Sequence, residues 1–465
     1  MVFKKLFLDV SCSLFKKKYS REFDKKIKLK FFNKLIIMED EIAPPDCVRG
    51  MKVLDRSAFK KTINVYSIEI KPNQINNLNK CLKNYYFKNR RCKITEEKIS
   101  DNVKLFLNPA LIKNFDDFSE NTKIELKNLG ITKDMFSNEI ITLDYDYWKL
   151  NEVLKAILPK DEPPLTSYSI IGHIVHLNLK DHLIDYKYII AEVLKDKVSV
   201  AKTVVNKTNK IDNVYRNFEM EVLCGEPDFI ASVIEYGTKF EFDFSKVYWN
   251  PRLSTEHNRI VNLVNHGDVL FDVFAGVGPF SIRAAKKNCL VHANDLNPDS
   301  FKWLNHNINL NKKAKGWITT YNKDGSDFIL NDFKSNMLKI WSDSNFLGQI
   351  HVVMNLPAKA LSFLKYFKGL FDEQDLKEIK KDHLVKHLPI IYCYFFAKKD
   401  ESLDEIFKTH LEYKFDENEY EFNFVRNVSN GKNMHRVTFQ MLLSIFMLEN
   451  SDISEPLPKR ICLND

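Results

Sequence analysis

The chain has 465 residues and a mass of 54.6 kDa, too long for one core, so two or three domains are expected. Hydrophobic residues make up 44% of it and charged residues 28%, which excludes a disordered or fibrous protein. Its 70 Lys and Arg against 62 Asp and Glu give a net charge of +8, which suits a polyanionic partner without establishing one.

In the first 38 residues, eleven Lys and Arg among Phe, Leu and Ile face only three acids, Asp9, Glu22 and Asp24. Such a basic, acid-poor, amphipathic extension (1–48) reads as a mitochondrial transit segment, or blandly as a basic RNA-binding arm or a mere extension. MEDEIAPPDC, with Pro44 and Pro45, marks a linker, and folded sequence is expected from near Arg49. Residues 49–125 combine alternating INVYSIEI, a helix in QINNLNKCLKNYYF and the apolar VKLFLNP into a small α+β domain. Residues 126–240 read as a β-rich domain, with strands in SYSIIGHIVHLNL, YIIAEVLKD, FEMEVLCG and YGTKFEFDF. Over 241–448 the style changes. Strands in DVLFDVFAG, CLVHAND, GWITTYNKD, QIHVVMNLP and LPIIYCYFF alternate with helices, one opening at Pro279 and one through WLNHNINLN, the order of an open α/β parallel sheet. Residues 449–465 form a polar, Pro-broken tail.

Eight scattered cysteines with no CxxC pair exclude a disulfide scaffold and a zinc ribbon and fit a reducing compartment. No apolar run approaches the ~18 residues of a membrane span, so a soluble protein is expected. Glycine is scarce, 13 residues against the roughly 33 of average usage, so Gly276 and Gly278 between a strand and a helix stand out. They allow close backbone approach to a ligand at a helix start, although Gly-x-Gly alone is equally a tight turn. Asp295, about one strand further on, suits ribose hydroxyls. Without the third glycine of a dinucleotide fingerprint, an adenosyl ligand lacking pyrophosphate, S-adenosylmethionine, is the better reading. Asp324-Gly325 and Asn355-Leu356-Pro357 follow two further strands and would face the same crevice; alone, Asp324-Gly325 is equally a turn. His173, His176 and His182 do not form a metal site by this reading, since the first two point to opposite faces of a strand and no Cys is near.

FDVFAGVGPFSI, HANDLNP and VVMNLPAKALSFL, with EFDFSKVYWNPRLSTEHNRI and YRNFEMEVLCGEPD before them, closely resemble the eukaryotic and archaeal tRNA (guanine-N1)-methyltransferases that modify the nucleotide 3′ of the anticodon. PPDCVRGMKVLDRSAFKKTINV, IGHIVHLNLKDH and VRNVSNGKNMHRVTFQM extend the resemblance from about Pro44 to about Leu448. It implies a Rossmann-like class I methyltransferase domain preceded by a β-rich α+β domain and a small N-terminal α+β domain. It also implies a monomer that methylates N1 of guanosine 37. In the family that mark prevents frameshifting and opens wybutosine synthesis on phenylalanine tRNA.

Attack by guanine N1 on a sulfonium methyl needs a base near N1 and a donor for charge growing on O6. By the resemblance Glu256 is the base, Arg216 contacts the target guanine, Tyr248 and Asn355 orient the flipped base, and Pro357 shapes the backbone there. Left to the sequence, Glu256 is an exposed helix-start acid, Arg216 a surface charge and Tyr248 a core aromatic. The resemblance also places His257, Asp295, Leu296, Asp324, Gly325 and Asn355 around S-adenosylmethionine, with Phe274, Gly276 and Gly278 lining its loop, and no metal. His257 follows the base directly, and archaeal relatives carry arginine there, which leaves its role open. The first domain is expected at the outer corner of the tRNA, with Lys60-Lys61 and the Lys88–Lys93 run as contacts, and the others on the anticodon stem-loop. Relatives serve the mitochondrial matrix, cytoplasm and nucleus. The rivals are an exocyclic-amine or glutamine-amide methyltransferase, which would carry two prolines and an aromatic after Asn355, and a tRNA-binding protein without catalysis.

Overall fold

The computed structural model describes residues 42–87, 102–160, 163–165, 167–211, 218–411, 419–429 and 431–447. The basic segment 1–38, the run 88–93, Arg216 and the tail 449–465 lie outside the described residues. Two compact units result: the described residues up to Thr166 with Leu179–Ser199, and Ser167–Asn178 with those from Val200 on.

In the first unit, β1 (Lys61–Ile70) is the centre of an antiparallel sheet, flanked by β2 (Val103–Phe106) and β3 (Phe136–Leu143). The strand β3 lies beyond residue 125, so the first sheet closes only with residues assigned by sequence to the next domain. Tyr66, Ile68 and Ile70 alternate on the buried face of β1 and pack with Leu78 and Leu82 of one helix and Leu126 of another. Of the paired lysines, Lys60 is exposed, whereas the Lys61 ammonium donates to the Ala43 carbonyl at 2.8 Å. YIIAEVLKD, expected as a strand, is helical within Lys187–Lys197. Its buried residues Ile189, Ile190, Val193 and Leu194 fall at i, i+1, i+4 and i+5, one face of a 3.6-residue period that a short apolar run conceals.

The second unit opens with a four-stranded sheet of β4 (Ser169–Ile171), β5 (Ile174–Leu177), β6 (Thr203–Ile211) and β7 (Phe218–Gly225). A hairpin follows, β8 (Ile230–Glu235) and β9 (Thr238–Asp243), turning at Tyr236 and Gly237 with φ of 46° and 73°. Paired positive φ angles match the right-handed twist of the strands. The seven-stranded sheet comprises β10 (Val269–Asp272), β11 (Leu290–Asn294), β12 (Ile318–Tyr321), β13 (Ile350–Met354), β14 (Ile390–Lys398), β15 (Tyr420–Ser429) and β16 (Lys432–Gln440), in the order β12-β11-β10-β13-β14-β16-β15. All pairings from β12 to β14 are parallel; β16 runs antiparallel to both neighbours. Strand order reverses at β10, which puts a crevice beyond its carboxyl end.

Apolar residues cover both faces of this sheet, which is why its inner strands read as continuous apolar runs. Val269, Phe271, Val352 and Phe395 join Phe328, Phe333 and Trp341 in one core. Leu270, Val291, Val353 and Tyr394 join the β9 residues Phe240 and Phe242, Ile260 and Phe280 in the other. Asn307 and Asn311 of the helix Pro298–Leu310 and its cap bind the outer edge of β9: Glu241 N donates to Asn307 Oδ1 at 2.8 Å, and Asn311 Nδ2 to the Lys239 carbonyl at 2.7 Å. These amides satisfy groups an edge strand would leave open.

Candidate active site

Four strand ends meet at the crevice. After β10 the chain turns through Phe274, Gly276 and Gly278 into a helix at Ser281–Ala285, two residues later than the Pro279 start expected from sequence. Gly276 has φ of 56° and open space where a side chain would begin. Gly278, φ 95°, would place a Cβ 2.7 Å from Ile282 Cδ1 and from Leu304 Cδ1. The two glycines therefore serve different ends: the first leaves room above the loop, the second lets two helices close beneath it. Gly278→Ala is expected to lower stability by about 1–3 kcal/mol through strain and overpacking. Gly276→Ala should cost only the left-handed backbone, about 1–2 kcal/mol, yet weaken an adenosyl ligand. Thermal melts paired with ligand titrations separate the two.

Asp295 follows β11 and is fixed from both sides, Gly276 N donating to Oδ2 at 2.8 Å and Asn297 N to Oδ1 at 2.9 Å. Burial pushes its carboxyl up to about 6 against the opposing pull of those amides. Asp272, the last residue of β10, is fully buried, and burial raises it to about 7; Ser281 Oγ donates to its Oδ2 at 2.5 Å, and the Asp295 charge adds to the rise. Leu296 beside Asp295 is 45% exposed, an apolar surface on which a flat ring can lie.

Asp324 caps the next helical turn, accepting from Ser326 N at 2.8 Å, so its exposed side chain does serve the turn. A Cβ on Gly325 would stand 2.8 Å from Phe274 Cε1, which ties the third strand end to the glycine loop. Asn294 holds three strand ends together: its Nδ2 donates to the Val273 and Lys323 carbonyls, each at 3.1 Å, and Lys323 N donates to its Oδ1 at 3.0 Å. At the fourth end, Asn355 Oδ1 is buried and has no hydrogen-bond partner among the described residues, while the Pro357 carbonyl accepts from Phe396 N at 3.1 Å. A buried orphan acceptor asks for a donor that the described residues do not provide. Open space over Gly276, the paired acids and this orphan oxygen fit an adenosyl ligand.

Glu256 lies in the first turn of the helix Ser254–Leu263, only 12% exposed at its side chain. Arg436 Nη1 donates to its Oε1 at 2.5 Å, Tyr394 Oη at 2.8 Å and Arg259 Nη2 at 3.1 Å; Arg259 Nε reaches Oε2 at 3.0 Å. It is thus no free surface acid. Tyr394 joins it to the glycine loop, its ring 6.2 Å from that of Phe280. His257 turns the other way, into a buried ion cluster in which its Nδ1 lies 3.0 Å from Glu235 Oε1 and Arg283 Nη1 reaches the same oxygen at 3.2 Å. Its ring edge meets Phe280 at 4.8 Å, the contact it offers toward the loop.

Tyr248 is 56% exposed rather than a core aromatic, its hydroxyl accepting from Asn250 Nδ2 at 3.2 Å. Arg426 lies near it, its guanidinium pushed down by burial and next by the Arg252 charge. His173 pairs with Asp228 at 3.3 Å, His182 meets the Pro163 carbonyl at 3.0 Å, and His176 packs edge-on against Phe244, its imidazole lowered to about 4 by burial. Among the described residues no cluster of three metal-ligating side chains occurs, and no helix is long and apolar enough to cross a membrane.

Asp272, Asn294, Arg259, Tyr394 and Arg436 escaped the sequence reading. The first two carried a signal, a polar residue at the end of an apolar run; Tyr394 and Arg436 act through Glu256, remote in sequence, and Arg259, three residues from Glu256, sits on the same helix with no pattern to single it out.

A model of the TRM5/TYW2 methyltransferase domain matches residues 231–376, and one of the TYW2 N-terminal domain matches residues 150–228. The chain is 98% identical over 411 residues to a tRNA (guanine(37)-N(1))-methyltransferase of Pediculus humanus subsp. corporis, covering 88% of this chain and 89% of that one. It is 43% identical over 411 residues to the enzyme of that name from Drosophila melanogaster, covering 87% and 88%. In fold it is similar to Trm5b from Pyrococcus abyssi, with a TM-score of 0.52 and 22% identity over 81% of this chain and 98% of the other.

Proposed function

This chain belongs to the tRNA (guanine(37)-N(1))-methyltransferase family, and from that we propose how its residues carry out the reaction. It transfers a methyl group to N1 of guanosine 37 of tRNA. The observation that carries the site reading is the contact chain from Glu256 through Tyr394 to Phe280, which joins a held carboxylate to the glycine loop.

S-adenosylmethionine, when bound, supplies an electrophilic methyl group. Asp295 would accept from its ribose hydroxyls, Leu296 would lie against the adenine, and Asp324, Gly325, Asn355, Phe274, Gly276 and Gly278 would complete the enclosure. Position 37 is stacked in the anticodon loop, so the guanine is turned out to be reached, with exposed Tyr248 as the surface on which it packs. Asn355 orients the base, and Pro357 fixes the backbone beside it. Glu256 takes the N1 proton as the new bond forms, while Arg216, outside the described residues, stabilises the charge on O6. No step requires a metal ion.

Affinity comes from phosphate contacts along the anticodon stem-loop and at the outer corner of the tRNA, with Lys60 among the contacts of the first unit. The protein acts as a monomer, and its product on phenylalanine tRNA enters wybutosine synthesis. The basic N-terminal segment gives it a mitochondrial share beside cytoplasmic and nuclear ones; imaging of full-length and Met38-start forms tests this, and identical cytosolic patterns would overturn it.

Methyl transfer from labelled S-adenosylmethionine to unmodified transcripts carrying G, A or inosine at position 37, with nucleoside mapping, tests the reaction. Label at N1 of guanosine is expected. Label on an exocyclic nitrogen would assign the protein to the rival enzyme class, and RNA binding without label to the binding-protein reading.

A further inference from the structure

The two oxygens of Glu256 are unlike. Among the described residues, Oε1 accepts from Arg436, Tyr394 and Arg259, three donors on an oxygen with two lone pairs, whereas Oε2 accepts from Arg259 Nε alone. The donors differ as well. The Arg436 side chain is 2% exposed and further anchored by Nε donating to Thr438 Oγ1 at 2.8 Å, and Tyr394 is fully buried; the Arg259 side chain is 41% exposed. Tyr394 and Arg436 are direct cross-strand partners on β14 and β16, so the sheet register itself presents both donors to one carboxylate oxygen. Tyr394 and Arg436 lie 138 and 180 residues along the chain from Glu256, and the exposed Arg259 three residues from it.

Resting on Glu256 as the base, we propose that Tyr394 and Arg436 are positioning residues that lock its Oε1, leaving Oε2 as the atom that takes the proton of guanosine N1. Arg259 swings aside to admit the base. The N1–H bond breaks with its proton passing to Oε2, and the electron pair left on N1 forms the bond to the methyl group of the sulfonium donor, whose carbon–sulfur pair leaves with the thioether. Among the described residues, the charged groups that contact Glu256 are Arg259 from its own helix and Arg436 from β16, beside the Tyr394 hydroxyl from β14.

Single-turnover methyl transfer to a G37 transcript tests this with full-length Tyr394→Phe, Arg436→Lys and Arg436→Met, alone and combined with Glu256→Gln. Tyr394→Phe is expected to slow transfer about tenfold, the size of one lost hydrogen bond to a charged group, with tRNA and S-adenosylmethionine dissociation constants unchanged. Arg436→Lys should retain more activity than Arg436→Met, and in the Glu256→Gln background Tyr394→Phe should add no further loss. Full additivity in the double variant, a wild-type rate in Tyr394→Phe, or a loss confined to binding would overturn the proposal. A wild-type rate in Glu256→Gln alone would overturn the base assignment instead. Because Tyr394→Phe removes a single oxygen, it keeps the test open should Arg436→Met fail to fold.

Discussion

Glu256→Gln is expected to slow methyl transfer to G37 transcripts by about 10²- to 10⁴-fold, the range contributed by a positioned general base. The amide has nearly the volume of the carboxylate, so the first turn of the helix and its contacts are retained. Its oxygen can keep the bonds from Arg436 and Tyr394, which turns the NH₂ group toward Arg259. Two donors then face each other, and the part-exposed Arg259 side chain moves into solvent. What the amide cannot do is accept a proton from N1. A second consequence is structural: Arg436 is buried, and Glu256 is its carboxylate partner, so the variant leaves a buried cation facing a neutral group. Breaking such a pair costs about 3–5 kcal/mol when nothing replaces the charge, and less here because the amide oxygen still accepts. Rates should therefore be compared well below the melting temperature, with tRNA and S-adenosylmethionine binding measured on the same samples. Unimpaired transfer at unimpaired binding would remove Glu256 from the chemistry.

The parts of the site built from local chain were legible in the sequence. The glycine loop, Asp295, Asp324 and Asn355 each follow a strand whose residues, such as the fully buried Ile350–Met354, read as an apolar run because the sheet is covered on both faces. Where periodicities compete, the sequence misled: Ile189, Ile190, Val193 and Leu194 fit both a buried strand and one helix face, and only the packing of the helix decides. The pairing of β3 with β1 is out of reach for a related reason, since it spans roughly seventy to eighty positions of sequence, from Ile68 with Phe136 to Lys61 with Leu143, and no local signal records it. Tyr394 and Arg436 lay hidden by the same rule. Tyr394 lies within the continuous buried run of β14 and Arg436 is one charged residue in the mixed strand β16, and their common target becomes visible only through the register that aligns them. His257 stands between the cases: its place beside Glu256 could be read, but not the buried Glu235 toward which its ring turns.

Affinity for the adenosyl ligand is expected to rise with pH between about 5 and 7.5, and Asp295→Asn to reduce it about 10- to 100-fold at the upper end. Burial raises the Asp295 carboxyl from the ordinary 3.8 to about 6, so in the free protein a proton is retained over a window in which the unfolded chain has lost it. Native protein binds more protons there than unfolded protein. This group's contribution to stability is therefore fully present below about 3.8 and is lost as pH rises through about 6. Ribose hydroxyls donate to the ionised carboxylate, which favours the charged form and expels that proton. Binding is thus about tenfold weaker at pH 5 than at neutral pH, because the proton must first be removed from a group near 6. Asp272, raised to about 7, titrates in the same range and is itself raised by the Asp295 charge, so the dependence surviving in Asp295→Asn belongs to Asp272. Calorimetric titration with S-adenosylhomocysteine from pH 5 to 8, in two buffers of different ionisation enthalpy, reads affinity and proton release together. A flat wild-type profile with no proton released, or wild-type affinity in Asp295→Asn, would take the ribose contact away from Asp295.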